Sequence, residues 1–139
     1  TAFVAKLSAA GKPTWLKSFG GGGGSNSDAV NALAVGSAGE IYLTGSYSGD
    51  ADFGTGPLPT AINNALFLGE LDPDGAARVM RAFDAPETTH TAGQALALDP
   101  RGGLILAGAL SGGLVFDGET IRSPKNGYGL FAARLTTPL

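Results

Sequence analysis

The chain has 139 residues, a formal net charge of −3 and no cysteine; 15% of its residues are charged and 43% are hydrophobic. The absence of any basic run argues against a nucleic-acid-binding protein, which needs clustered lysine and arginine, and the absence of cysteine excludes disulfides and thiolate metal sites. No apolar run approaches the roughly 20 residues that span a bilayer as a helix, so neither nucleic acid nor a membrane span is expected.

The first strand-like run, residues 3–7 (FVAKL), recurs at 67–71 (FLGEL) and again at 131–135 (FAARL), with the same spacing both times. Each copy has a large apolar residue first and last, a small residue in the middle and a charge before the final leucine. Alternate residues of a strand share a face. Each copy therefore presents a large–small–large face to a neighbouring layer.

Three further pairs of strand-like runs recur in the same order. They are residues 15–19 and 79–83, 31–35 and 94–98, and 41–45 and 104–108. The first pair keeps the spacing of the opening run and the other two are one position closer, so the differences fall in loops, as in a true structural repeat. The sequence predicts nine strands in one domain over 1–139, with repeat units at about 3–66 and 67–130 and a third, partial copy at 131–139.

The turns between these runs favour a fold made only of strands. Residues 72–75 (DPDG) have proline second and glycine fourth, as in a type I turn. No window shows a sustained period of 3.6 residues, so essentially no helix is expected. Four-stranded units in tandem, with turns at hairpin spacing, indicate an all-β fold and specifically a β-propeller. A β-sandwich or a β-solenoid is the alternative.

In blade order, the chain supplies strands three and four of one blade, one complete blade over about 29–83, and strands one to three of another. That is about two and a quarter blades, whereas a closed propeller takes roughly four to eight. The open blades would leave unpaired strand edges, which natural proteins avoid. We therefore expect the chain to be a portion of a larger propeller, with a ring of several copies as the alternative.

One resemblance follows from these motifs. Residues 3–7, the WLKSFGG run from Trp15, the NALAV run from Asn31 and the GEIYLTGS run from Gly39 resemble the SBBP-type β-propeller repeats of bacterial surface and secreted proteins. The second repeat departs from this pattern, with Ala107-Gly108-Ala109 where the family tends to have Thr-Gly-Ser. The resemblance implies a propeller fold and an extracellular or cell-surface location, and it carries no catalytic motif.

The sequence offers no strong chemical site. The glycine run at 20–24 lacks the lysine and the following helix of a phosphate-binding loop, so it predicts a flexible loop between blades. His90 is the only histidine and is expected to be solvated in a loop. Asp50 and Asp52 are two carboxylates without the further oxygen ligands that calcium needs; calcium at this pair stays an open alternative. We assign no catalytic, cofactor-binding or metal-binding residue.

Several side-chain environments are also predicted. Glu70 stands where the other copies have Lys6 and Arg134, and a position that takes either sign predicts an exposed strand face. Trp15, Phe19 and Phe83 are predicted to pack in the core or at blade edges rather than to form a ligand platform.

The hypothesis for function is a non-catalytic binding or display module of a bacterial surface or secreted protein, with an unknown protein or carbohydrate ligand. One alternative is a structural subunit that polymerises through open blade edges. Another is a portion of a propeller enzyme whose catalytic residues lie outside this chain. The expected partners are the remaining blades of a larger propeller or further copies of the chain. Blade number and oligomeric state stay open at this point.

Overall fold

The computed structural model describes residues 1–20, 27–83, 90–116, 118–125 and 127–139. Over these residues the chain is all-β, as predicted, and contains no helix. It follows that these ranges hold no helix long and apolar enough to cross a membrane. The strands are β1 (Ala2–Leu7), β2 (Pro13–Phe19), β3 (Ala29–Val35), β4 (Ile41–Gly49), β5 (Ala61–Leu71), β6 (Ala77–Ala82), β7 (His90–Asp99), β8 (Gly103–Ser111), β9 (Gly113–Phe116), β10 (Glu119–Arg122) and β11 (Tyr128–Thr136).

The described residues contain every expected strand and two more, so the predicted number of nine was wrong. The additional strands, β9 and β10, pair with each other in the segment that follows β8, with Leu114 opposite Ile121. Gly118 lies between them with a positive φ of 86°, a backbone conformation that glycine adopts without steric cost. This turn glycine, with the apolar run 114–116 before it and the β-branched Thr120 and Ile121 after it, explains why the segment forms a hairpin.

The strands form three antiparallel sheets and one separate hairpin. The first sheet is β1–β2, the second has the order β3–β4–β5–β6, the third has the order β11–β8–β7, and β9–β10 is the arm hairpin. The division into two, four and three strands is the one expected from the repeat. Tight turns join neighbouring strands; in the turn after β5, Asp72 O accepts a hydrogen bond from Gly75 N at 2.9 Å.

The second sheet lies between the other two, and its strands β4 and β5 are buried on both faces. One face contributes Leu43, Phe67 and Leu71 to a first core, where they meet Val4 and Phe19 of the first sheet. The opposite face contributes Tyr42, Leu66 and Leu68 to a second core. The third sheet and Phe83 complete that core with Leu104, Leu106, Leu110 and Phe131. The alternation of side chains along β4 and β5 thus supplies both interfaces.

The two interfaces use faces that correspond in the repeat. Val4 and Phe19 are the counterparts of Leu68 and Phe83, one repeat earlier in the sequence. The first pair packs in the first core and the second pair packs in the second core, one layer further along. The first sheet packs on the second, and the second on the third, through the same face of their strands.

Backbone approach between the second and third sheets is closest where β7 crosses β3, β4 and β5. A Cβ atom on Gly93 would collide with the Thr44 side chain, so only glycine fits at this crossing. Two hydrogen bonds join the sheets here. Asn31 Nδ2 donates to Gly93 O at 2.8 Å, and Leu66 N donates to Thr91 Oγ1 at 2.9 Å.

The aromatic predictions are confirmed and one charge prediction is wrong. Phe19 and Phe83 are buried, and Trp15 is half-buried, with its indole Nε1 donating to Pro73 O at 3.2 Å. Glu70 was expected to be exposed but is only 3% exposed. It belongs to the middle sheet, where its carboxylate accepts a hydrogen bond from Leu139 N at 3.1 Å. An acid at this position therefore meets a backbone donor rather than solvent.

Candidate functional site

Two long segments leave the sheets at the same end, opposite the tight turns, and each is anchored by a phenylalanine. In the first arm, residues 50–60, Phe53 is fully buried. Its ring stacks on Phe67 at a centroid distance of 4.4 Å and lies 6.1 Å from Phe19. In the second arm, residues 112–127, which carries the arm hairpin, the Phe116 ring lies 4.5 Å from the Phe83 ring and 5.6 Å from the Phe131 ring.

These rings form two equivalent triads, each joining two adjacent sheets. Phe116 is the repeat counterpart of Phe53, and its two partners are the repeat counterparts of the partners of Phe53. This feature was not predicted, because the arms lie outside the strand-like runs in which the repeat is recognisable. The recurrence of phenylalanine in the arms, at the same spacing as the β3 and β4 runs, was the signal that would have revealed it.

The acidic pair of the first arm stabilises the arm itself. Asp50 Oδ1 accepts a hydrogen bond from Thr60 Oγ1 at 2.6 Å. Asp52 Oδ1 accepts from Gly54 N at 2.7 Å and from Gly56 N at 3.2 Å. The two carboxylates have separate partners, and the described part of the chain contains no group of three His, Cys, Asp or Glu side chains that could hold a metal ion.

The second arm forms a polar concavity of about 490 Å³ at the base of its hairpin. Ser123 and Gly112 fix its rim, because Gly112 N donates to Ser123 Oγ and Ser123 N donates to Gly112 O, both at 2.8 Å. Arg122 and Lys125 bring two positive charges to the lining, together with Ser111, Pro124 and Gly127. Guanidinium, ammonium and hydroxyl groups suit an anionic or hydroxyl-rich ligand.

A second concavity, the open groove, lies between β1 and β3 and has a volume of about 400 Å³. The first sheet has two strands, so the edge of β1 away from β2 has no strand beside it among the described residues. Leu33 and Val35 on β3 are 52% and 55% exposed. Their counterparts in the repeat, Leu96 and Leu98, pack against the second core.

Asp28 lies at one end of the open groove. Its side chain is 1% exposed, and neither carboxylate oxygen accepts a hydrogen bond from the residues that the structure describes. The amino nitrogen of Thr1 is 3.7 Å from Oδ2. The counterpart of Asp28 in the repeat is Thr91, whose hydroxyl accepts the hydrogen bond from Leu66 N between two sheets. Asp28 therefore occupies a position that elsewhere joins neighbouring sheets.

A smaller concavity of about 270 Å³ at the turn end contains Glu40, Tyr42, Glu70 and Arg78. Glu70 Oε1 lies 3.8 Å from Arg78 Nη1. Burial, followed by the negative charge of Glu70, raises the pKa of Tyr42. The charged groups here are paired with each other or with the backbone, which is typical of a structural cluster.

The remaining candidate residues of the sequence do not come together in the structure. His90 was expected in a loop but is the first residue of β7, opposite Ser111, and it is exposed as expected. In the glycine run, Gly20 N donates to Asp52 O at 3.3 Å; residues 21–24 lie outside the described residues. Asp72 Oδ1 accepts hydrogen bonds from Asp74 N and Ala76 N, both at 2.9 Å, so its role is in the turn. No protein-family model matches the chain, and no curated protein matches it.

Proposed function

We propose that the chain is a non-catalytic binding or display module that forms part of a β-propeller in a bacterial surface or secreted protein. The observation that carries this proposal is that β4 and β5 of the second sheet are covered on both faces, through surfaces that correspond in the repeat. Units stacked side by side in this way are typical of propellers. The resemblance to SBBP-type repeats supports the bacterial surface location.

The arm end is the proposed ligand-binding face. The arms repeat the phenylalanines that point into the core, but they do not repeat their polar residues: the first arm carries Asp50 and Asp52, whereas the second carries Arg122 and Lys125. A constant framework with variable loops is the usual arrangement in binding proteins. The basic, hydroxyl-lined concavity of the second arm supports an acidic carbohydrate as the ligand class.

An array of sulfated and uronic-acid oligosaccharides tests this proposal directly. We expect the purified chain to bind acidic members, and Lys125→Glu to weaken binding at least tenfold, because it reverses one charge at the concavity. Lys12→Glu makes the same change in an exposed turn at the opposite end and should leave binding intact. Binding to no member of the array, or equal loss in both variants, would contradict the proposal.

A second candidate function is a structural subunit that assembles with its own kind. The exposed apolar residues of the first and third sheets favour it, among them Phe3, Leu16 and Ile105. Contiguous exposed apolar surface commonly marks a protein–protein contact. Oligomers whose size increases with protein concentration, in the absence of any ligand, would support this function over carbohydrate binding.

A further inference from the structure

Six of the exposed, large apolar side chains lie on the first sheet, on β3 and on the third sheet. Phe3, Leu7 and Leu16 lie on the outer face of the first sheet, and Phe3 is 69% exposed. Leu33 lines the open groove and Val35 lies two residues further along β3; we call these two residues the floor of the groove. Ile105 lies on the outer face of the third sheet, among the alanines of β7 and β8. Because the sequence repeats, the two interfaces between the sheets of one chain indicate which residues would cover each of these surfaces.

The floor of the groove is the counterpart of a covered surface. Leu33 and Val35 correspond to Leu96 and Leu98, which pack beneath the second sheet. The strands of the second sheet that lie over Leu96 and Leu98 carry Ala32, Ala34 and Tyr42. The counterparts of these three residues are Ala95, Ala97 and Ile105, on the outer face of β7 and β8. Within one chain the second sheet separates that face from the groove, so the two surfaces can meet only between copies.

The free edge of β1 leads to the same pairing. Its counterparts, β5 and β11, pair with β4 and β8 respectively. The edge of β1 is thus suited to a strand of the β8 type. In a second copy β8 is already paired with β11, which is the repeat counterpart of β1. The two strands therefore compete for one edge of β8.

The apolar residues of β1 fit the place of β11. Phe131 is buried, with its ring 5.6 Å from Phe116, whereas Phe3, its counterpart two repeats earlier, is exposed. Replacement of β11 by β1 would bring Phe3 beside Phe116. In the same arrangement, exposed Gln94 would face Val30 O in the groove, repeating the bond from Asn31 Nδ2 to Gly93 O.

We propose that a second copy of this chain inserts its β7–β8 hairpin into the open groove, where its β8 pairs with β1 in place of its own β11. The product is a four-stranded sheet, β7–β8–β1–β2, built from two copies. Ala95, Ala97 and Ile105 of one copy cover Leu33 and Val35 of the other. The contact joins different surfaces of the two copies, so it is head-to-tail and can be repeated. This inference goes beyond ligand binding and does not depend on it.

Crosslinking between engineered cysteines tests the pairing, since the chain has none of its own. Ile105 pairs with Arg134 in β11, and Lys6 is the counterpart of Arg134, so Lys6 of one copy should lie opposite Ile105 of another. In one copy these positions lie on either side of the second sheet, about 20 Å apart at about 10 Å per sheet layer. With Lys6→Cys and Ile105→Cys, a short bismaleimide should yield dimers and longer products linked from position 6 to position 105.

Three variants control this experiment. Lys6→Cys combined with Ile62→Cys should give no linked product, because Ile62, at 85% exposure, lies outside both surfaces. Val35→Asp in the crosslinking pair should reduce the yield at least tenfold, because it places a charge in the covered floor. Arg134→Ala removes the 2.8 Å ion pair with Asp99 that holds β11; it should raise the yield because β11 is then released more readily.

Several results would overturn the proposal. A folded double variant that gives no link between positions 6 and 105 would do so. Products linked 6-to-6 or 105-to-105 would indicate a symmetric contact instead. Light scattering that gives the 13.8 kDa mass of one chain at every soluble concentration would also refute the exchange. Array binding by such a monomer would leave the proposed ligand function standing.

Discussion

Phe53→Ala is the most direct test of the arm structure. Phe53 is fully buried between Phe67, at 4.4 Å, and Phe19, at 6.1 Å, with Tyr47 edge-on at 6.3 Å. Truncation of a buried phenylalanine costs about 3–5 kcal/mol, because it removes apolar burial and leaves a cavity. A domain of this kind has only about 5–15 kcal/mol of stability in total. The variant should therefore be folded but close to its threshold.

Urea unfolding, followed by the fluorescence of Trp15, measures this loss. For a slope of about 2 kcal/mol per molar urea, a loss of about 4 kcal/mol lowers the midpoint by about 2 M. Phe116→Ala in the second arm should cost less, because Phe116 is only half-buried. Ile62→Ala, at an exposed site, should stay within about 0.5 kcal/mol of the natural sequence. If Phe53→Ala matched Ile62→Ala, the first arm would not pack on the core.

Three further outcomes are expected. Gly75→Ala should destabilise the chain by about 1–2 kcal/mol in thermal unfolding, because Gly75 has φ +81° and its Cβ would lie 3.1 Å from the Trp15 ring; an unchanged Tm would contradict that contact. Asp52→Ala should cost about 1–2 kcal/mol, since two backbone amides lose their acceptor, while millimolar calcium should leave the Tm of the natural sequence unchanged; a clear rise would revive the calcium alternative. Arg134→Ala should lower the Tm at neutral pH but not near pH 2. The Arg101 amide and then Arg134 lower the pKa of Asp99, so the stabilisation is present above the unfolded pKa near 4 and disappears as the pH falls through the lower folded pKa.

The framework could be predicted from the sequence because the repeat is strongest where the packing is tightest. Strands that pack against equivalent neighbours keep the same alternation of large and small residues, so the runs at 3–7, 67–71 and 131–135 are recognisable. The arm hairpin was missed because its counterpart in the first repeat does not form a separate hairpin. There, residues 50–60 are closed by a single bridge between Asp52 and Pro57.

The environment of individual polar residues could not be predicted in the same way. Glu70, Lys6 and Arg134 are equivalent in sequence, but each faces a different layer. Lys6 Nζ donates to Pro73 O at 3.1 Å, Arg134 pairs with Asp99, and Glu70 is buried beside Leu139. The surroundings of each of these residues depend on the neighbouring sheet, and that sheet comes from another repeat. The open groove could not be predicted either, because it lies where the two described strands of the first sheet leave part of the four-stranded second sheet uncovered.

The side chains between the second and third sheets differ in size from one part of the interface to another. Where β7 crosses the second sheet, Gly93 meets Thr44 with no room for a further methyl group. At the other edge of the third sheet, where Phe131 of β11 lies in register with Gly108 and Gly93, the rings of Phe83, Phe116 and Phe131 pack between the two sheets. The spacing between the second and third sheets is therefore filled unevenly across their width, by a glycine against a threonine at β7 and by three phenylalanine rings beside β11.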